Sequence, residues 1–195
     1  MSKIFTILFF FFLISCSSTV EFSEPIVVST PSGIEKISGK YAAYIQTGGW
    51  QLETEAKTLV CGAWTFSADI NEPYVIAAKQ TLSQMFDDIT FYNNILSAEE
   101  MKNENYLGQI SILQTSARAT FGFTGAAQAD FIFFLNTIVS AQNSEGLMFQ
   151  ENVEAEGLGQ ETKFLSCNAQ EGARIAVQNS IEQLLDISSM HIYNG

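Results

Sequence analysis

The chain has 195 residues, with 21 acidic and nine basic side chains, one histidine, a formal net charge of -12 and a pI of about 4.3. That balance excludes a binder of nucleic acid or another polyanion, which would need a basic footprint. A hydrophobic content of 47% is too high for a disordered acidic segment and gives one folded domain with a tail.

Met1, Ser2 and Lys3 form a short positive start, followed by the apolar run from Ile4 to Ile14, broken only by Thr6. At about 1.5 Å per residue this run reaches roughly 16 Å, half the roughly 30 Å hydrocarbon core of a bilayer, so it suits an export signal rather than a spanning helix. Leu13-Ile14-Ser15-Cys16, directly after it, resembles the lipobox of bacterial lipoproteins. The resemblance implies acylation of the Cys16 sulfur, cleavage before Cys16 and acylation of the new amino terminus. Ser17 replaces the aspartate that holds such proteins at the inner membrane. The resemblance thus implies an outer-membrane address, with the folded part in the periplasm or at the cell surface. Several acyl chains anchor firmly, whereas an acidic body is repelled by anionic headgroups, so attachment depends on the lipid. An ordinary cleaved signal with an incidental Cys16 is the alternative.

The expected layout is a signal peptide over 1–15, a lipidated extended tether over 16–38, whose later part can join the domain, and a single α+β domain over 39–190. Pro25 and Pro31 break any helix in the tether. Tyr41 to Gln46 reads as a short strand. Leu52 and Thr54 alternate with Gln51, Glu53 and Glu55 in a second, and Thr58 to Trp64 offer a third. Asn71-Glu72-Pro73 opens a helix, with Pro in the first turn, and its apolar stripe Tyr74, Ala78, Leu82 and Met85 continues toward Ile89. Ser97 and Glu100 have capping-box spacing before a helix of one or two turns. Tyr106 to Phe123 is strand-like, with a bend at Gln114-Thr115-Ser116. The clearest strand is Asp130 to Gln142: Phe131, Phe133, Leu135, Thr137 and Val139 point one way, while Ile132, Phe134, Asn136 and Ile138 point the other. Both faces are apolar near its middle, which places it inside a sheet. Asn143 to Gly146 makes a hairpin to a half-solvated return strand, and EGARIAVQNSIEQLLDI forms a last helix whose small residues allow close approach. The expected fold is a two-layer α+β sandwich, a mostly antiparallel sheet with two long helices on one face. Only one face of the Asp130–Gln142 strand can then meet the helices; the other needs a partner.

Once Cys16 is lipidated, Cys61 and Cys167 remain. In an oxidising exported compartment they are expected to form a disulfide, two buried free thiols being the alternative. No Cys-x-x-Cys is present to support redox or metal work. His191 is expected to be exposed or helix-capping, near the C-terminus, and poorly placed as a triad base. No nucleophile elbow, zinc-protease helix or phosphate loop occurs. Glu151, Glu154 and Glu156 read as a solvated strand face rather than a calcium site or carboxylate pair. No catalytic residue, metal or cofactor is therefore expected.

The order of lipobox, tether, strands, first helix, FIFFLNTIVS hairpin and last helix is similar to that of small outer-membrane lipoproteins with an α/β sandwich, the lipopolysaccharide-assembly lipoprotein family among them. That family plugs an outer-membrane barrel and contacts lipopolysaccharide. The basic residues here, from Lys36 to Arg174, are scattered through an acidic chain, so the resemblance implies anchoring and a non-enzymatic accessory role, and assigns no binding residue. The expected partners are the membrane, through the acyl chains, and an envelope protein or a second copy of the chain. The rival reading is a module binding a lipid or other small hydrophobe, which would show an enclosed apolar cavity.

Overall fold

The computed structural model describes residues 16–22, 25–28, 35–49, 51–55, 64–124, 128–162 and 170–195. The leader, Cys61 and Cys167 lie outside these residues. Among them, in chain order, are strands β1 (Cys16–Val20), β2 (Ile37–Gln46), β3 (Gln51–Glu55) and β4 (Trp64–Asp69), then helix α1 (Asn71–Met85) and β5 (Phe86–Tyr92). The short helix α2 (Ala98–Asn103) precedes β6 (Gly108–Thr124), β7 (Gln128–Asn143), β8 (Gly146–Thr162) and helix α3 (Gln170–Asn194). The fold is mixed α/β. A five-stranded sheet has the order β5-β2-β6-β7-β8, and a three-stranded sheet the order β1-β4-β3.

The large sheet is mixed rather than mostly antiparallel. β2 runs parallel to both β5 and β6, whereas β6, β7 and β8 form an antiparallel meander. The reason is connection length. β7 and β8 are joined by a tight hairpin, but the chain reaches β5 from β2 through the small sheet and α1, and β6 from β5 through α2. Such crossovers return a strand in its original direction. Only one helix is long: α3 has 25 residues and α1 has 15. The expected continuation of α1 toward Ile89 is instead the extended strand β5, on which Asp87 and Asp88 are exposed.

Local sequence accounts for most boundaries. The Asp69 carboxylate accepts the Asn71 backbone N–H at 3.0 Å and its side-chain amide at 2.8 Å, so the acid one residue before the helix cap starts α1. Ser97 and Glu100 form the full capping box of α2. The Asn143 side chain accepts from Glu145 and Gly146 N–H groups in the β7–β8 hairpin, where Gly146 adopts φ +146°. Cys16–Val20, the first part of the expected tether, pairs in parallel with β4, and Val20, Ile26 and Val28 are buried.

The core lies between the large sheet and the layer formed by α1, α3 and the small sheet. Ile110, Ile112, Leu135, Val139 and Val153 meet Tyr74, Ala78 and Leu82 of α1 and Val177, Ile181 and Leu184 of α3. Phe66 of β4 packs edge-on against Phe121 and Phe131, closing one end. α3 lies unusually close to β8. A Cβ on Gly157 would stand 1.9 Å from the Ala176 carbonyl oxygen, and one on Gly159 1.8 Å from that of Gly172. The small residues near the start of α3 permit this approach.

Candidate functional site

Among the described residues, the second face of the large sheet is covered at one end only. Over β5 and β2, Leu96, Met101 and Tyr106 around α2 bury Ala42. Lys40 fixes this cap: its Nζ donates to the Glu104 carbonyl at 2.8 Å and stands 4.4 Å from the Tyr106 ring centre. The Tyr92 and Tyr106 hydroxyls are 2.8 Å apart, and this hydrogen bond, aided by burial and nearby charge, pushes the Tyr92 pKa up to about 12. Gln109 accepts from the Leu96 N–H at 2.9 Å, tying the loop before α2 to β6.

Beyond this cap, no described element packs on the outward face of β6, β7 and β8. Register lays its side chains in rows across the three strands. Arg118, Phe134 and Glu156 share one row; Ser116, Asn136 and Glu154 the next; Thr120, Ile132 and Leu158 the row on the other side. The Arg118 guanidinium lies over the Phe134 ring at 4.5 Å. Asn136 donates to Ser116 at 3.0 Å. Ile132, Phe134 and Ile138 are half-buried, and Leu158 is 56% exposed. Arg118, Phe134, Asn136, Glu154 and Glu156 line an open groove of about 570 Å³ that reaches Gln183 on α3.

The β8 edge beside this groove is not free to pair with another strand along its middle. Gln183 accepts from the Glu156 N–H at 2.9 Å, and Asn179 donates to the Leu158 carbonyl at 2.8 Å. Side chains of α3 thus occupy outward-pointing backbone groups of an edge strand, which blunts it as a template. The open surface is a face, not an edge.

Two other concavities differ in kind. An open polar groove of about 380 Å³ lies where β1 meets the start of α3, around Thr19, Glu21, Gln170 and Arg174. There Glu171 receives two hydrogen bonds from the Arg174 guanidinium, which hold its carboxyl below the usual range. The apolar crevice between Val20, Phe66, Phe131 and Val177 encloses only about 30 Å³. That volume suits a water molecule, not an acyl chain.

Cys16 heads β1, in register with Trp64 of β4. His191 lies in the last turn of α3, inside the helix rather than beyond it, and is half-buried. Glu151, Glu154 and Glu156 are exposed on β8, and no group of three or more metal-binding side chains is found among the described residues. No helix among them is long and apolar enough to cross a membrane. Sequence reading missed Arg118 and Gln183. The signal for Arg118 was a phase change in β6: Ile110 and Ile112 face the core at even positions, Ala117, Ala119 and Phe121 at odd ones. The bulge between Gln114 and Ser116 makes the switch and turns Arg118 outward.

The described residues thus form a mixed α/β fold with one sheet face uncovered over three strands. No protein-family model matches the sequence, and no curated protein does either. Among solved structures, a Xanthomonas campestris protein of the DUF330 family aligns over 92% of this chain and 99% of its own, at TM-score 0.49 and 6% identity. A hypothetical protein of Chlamydia trachomatis aligns over 80% and 94%, at TM-score 0.40 and 11% identity. PelC of Paraburkholderia phytofirmans, a dodecamer, aligns over 76% and 87%, at TM-score 0.33 and 12% identity.

Proposed function

We propose that this chain is a lipid-anchored, non-enzymatic accessory component of a bacterial cell envelope, held at the outer membrane through acylated Cys16 and docking on protein through the open face of β6, β7 and β8. The observation that supports docking is the composition of that face. Ile132, Phe134, Ile138 and Leu158 stand beyond the cover of α2, among Arg118, Glu154 and Glu156. An apolar strip rimmed by charge is the pattern of a protein interface. The lipid-module reading has no comparable observation among the described residues, where the apolar crevice between Val20, Phe66, Phe131 and Val177 measures about 30 Å³. β1 pairs from Cys16 onward, so an anchored chain would hold its body close to the bilayer.

Photo-crosslinking residues placed at Phe134 and Ile138 of the full chain, in its native envelope, test the docking. The expected result is repeated recovery of the same envelope protein, a second copy of this chain included, from both positions and not from Met190, which is exposed on α3. Equal capture from all three, or none from the face, overturns it. Intact-mass analysis of the membrane-extracted chain tests the anchor, with an acylated Cys16 at the N-terminus as the expected species and an unmodified one as the contrary result.

A further inference from the structure

We propose that one partner of the open face is a second copy of this chain, packed sheet against sheet about a two-fold axis that runs along β7. The inference rests on the reading of this face as a protein-docking surface and names an occupant for it. It is carried by a charge pattern that is complementary to itself. In the row through Phe134, Arg118 lies on β6 to one side and Glu156 on β8 to the other. Rotation by half a turn about β7 sets β6 of one copy opposite β8 of the next at the same height. Arg118 then faces the partner copy's acidic position, Glu156 faces the partner copy's basic one, and the two Phe134 rings meet at the axis.

The two flanking rows obey the same rule; at the far end of the face Asp130 on β7 would meet its own copy, with the Gln128 and Gln160 amides on each carboxylate to offset the like charge. Ser116 on β6 would meet the carboxylate position of Glu154, Asn136 would meet its own copy, and Leu158 would cover Thr120. Ile132 and Ile138 lie on the axis strand and would meet their own copies across it. Neither Arg118 nor Glu156 has an ion-pair partner among the described residues, so both charges are available. Arg118 is already stacked on Phe134, which holds its guanidinium in place and leaves its N–H edge to take a carboxylate. The shape agrees as well. The cap around α2 forms a step beside β6, and each copy ends at β8, so the edge of one sheet fits against the step of the other. Three strands at about 4.8 Å and six outward rows at about 6.8 Å give a face of roughly 14 by 34 Å, about 480 Å² per partner and just under about 1,000 Å² in total, the size of a small, reversible interface.

Sedimentation velocity of the full chain in detergent, with single and mixed charge reversals, tests the arrangement. Wild type is expected to be a dimer at micromolar concentration. Arg118→Glu and Glu156→Arg are each expected to weaken it by about tenfold or more, since each places like charges opposite one another twice. An equimolar mixture of the two variants is expected to regain the dimer, because every contact then pairs opposite charges; the chain carrying both changes is expected to dimerise as well. Recovery also shows that the variants are folded, and micelle sharing would not follow this pattern. A monomeric wild type, single variants that remain dimeric, or a mixture that stays monomeric overturns the proposal. A monomeric chain that still crosslinks through Ile138 to another envelope protein overturns the dimer and leaves the accessory reading standing. A dimer that captures no other protein supports the self-pairing and overturns the accessory reading.

Discussion

Phe133 and Phe134 are neighbours in one strand and meet opposite surroundings. Phe133 is 1% exposed beneath the helices, in the layer where Tyr74 of α1 reaches Thr137 of β7 at 3.2 Å. Phe134 is half-buried on the other side, its ring covered by the Arg118 guanidinium rather than by a packed element. The strand is apolar on both faces, yet α1, α3 and the small sheet cover only one of them. On the other face the cap around α2, itself six residues long, covers Ala42 of β2 and reaches only Gln109 of β6 and Gln142 of β7 at that end. The contrast separates a residue that holds the fold from one available for association, though both have the same chemistry.

The sharpest test of that contrast is truncation. Phe133→Ala is expected to cost about 3–5 kcal/mol in chemical denaturation, whereas Phe134→Ala in the monomer is expected to cost under about 1 kcal/mol. Equal losses would mean that the outer face is part of the core. Glycines extend the test to the backbone. Gly159→Ala forces a Cβ into the α3 backbone and is expected to cost about 3 kcal/mol, while Gly122→Ala, with nothing within 4 Å of the added Cβ, should stay within about 0.5 kcal/mol.

Smaller effects come from the polar groups on each side. Tyr74 is fully buried, which pushes its hydroxyl well above the usual tyrosine range. Tyr74→Phe leaves the Thr137 hydroxyl without this partner and is expected to cost about 1–2 kcal/mol; Asn136→Ala on the open face should cost less than half of that. On the capped end, the raised Tyr92 pKa favours the neutral phenol in the folded chain. Its contribution is fully present below about 10 and is lost as pH rises from about 10 to about 12. Ultraviolet titration of Tyr106→Phe should bring Tyr92 back toward the ordinary value. The smallest effect is acid fraying of α2. Hydrogen bonds from Ser97 hold the Glu100 carboxyl below its usual range, so the capping box persists above that range and is lost as pH falls through the lowered value. Faster amide exchange at Glu100 in acid, matched at neutral pH by Ser97→Ala, would show it.

Short-range patterns in the sequence determined the capping box of α2, the Asn143–Gly146 hairpin, the two-sided alternation of β7 and the small residues by which α3 approaches β8, because each depends on residues a few positions apart. The open face was foreshadowed in the same way, by an apolar strand with more than one helix layer could cover. Only the tertiary structure decided that β2 lies between two parallel neighbours, that Cys16–Val20 joins β4 as a strand, that the Gln114–Ser116 bulge turns Arg118 outward, and that Gln183 and Asn179 close the β8 edge. Strand direction and layer coverage depend on how long connections close and on which distant surfaces meet. A helical or strand period records only which side of an element is apolar, not what will cover it.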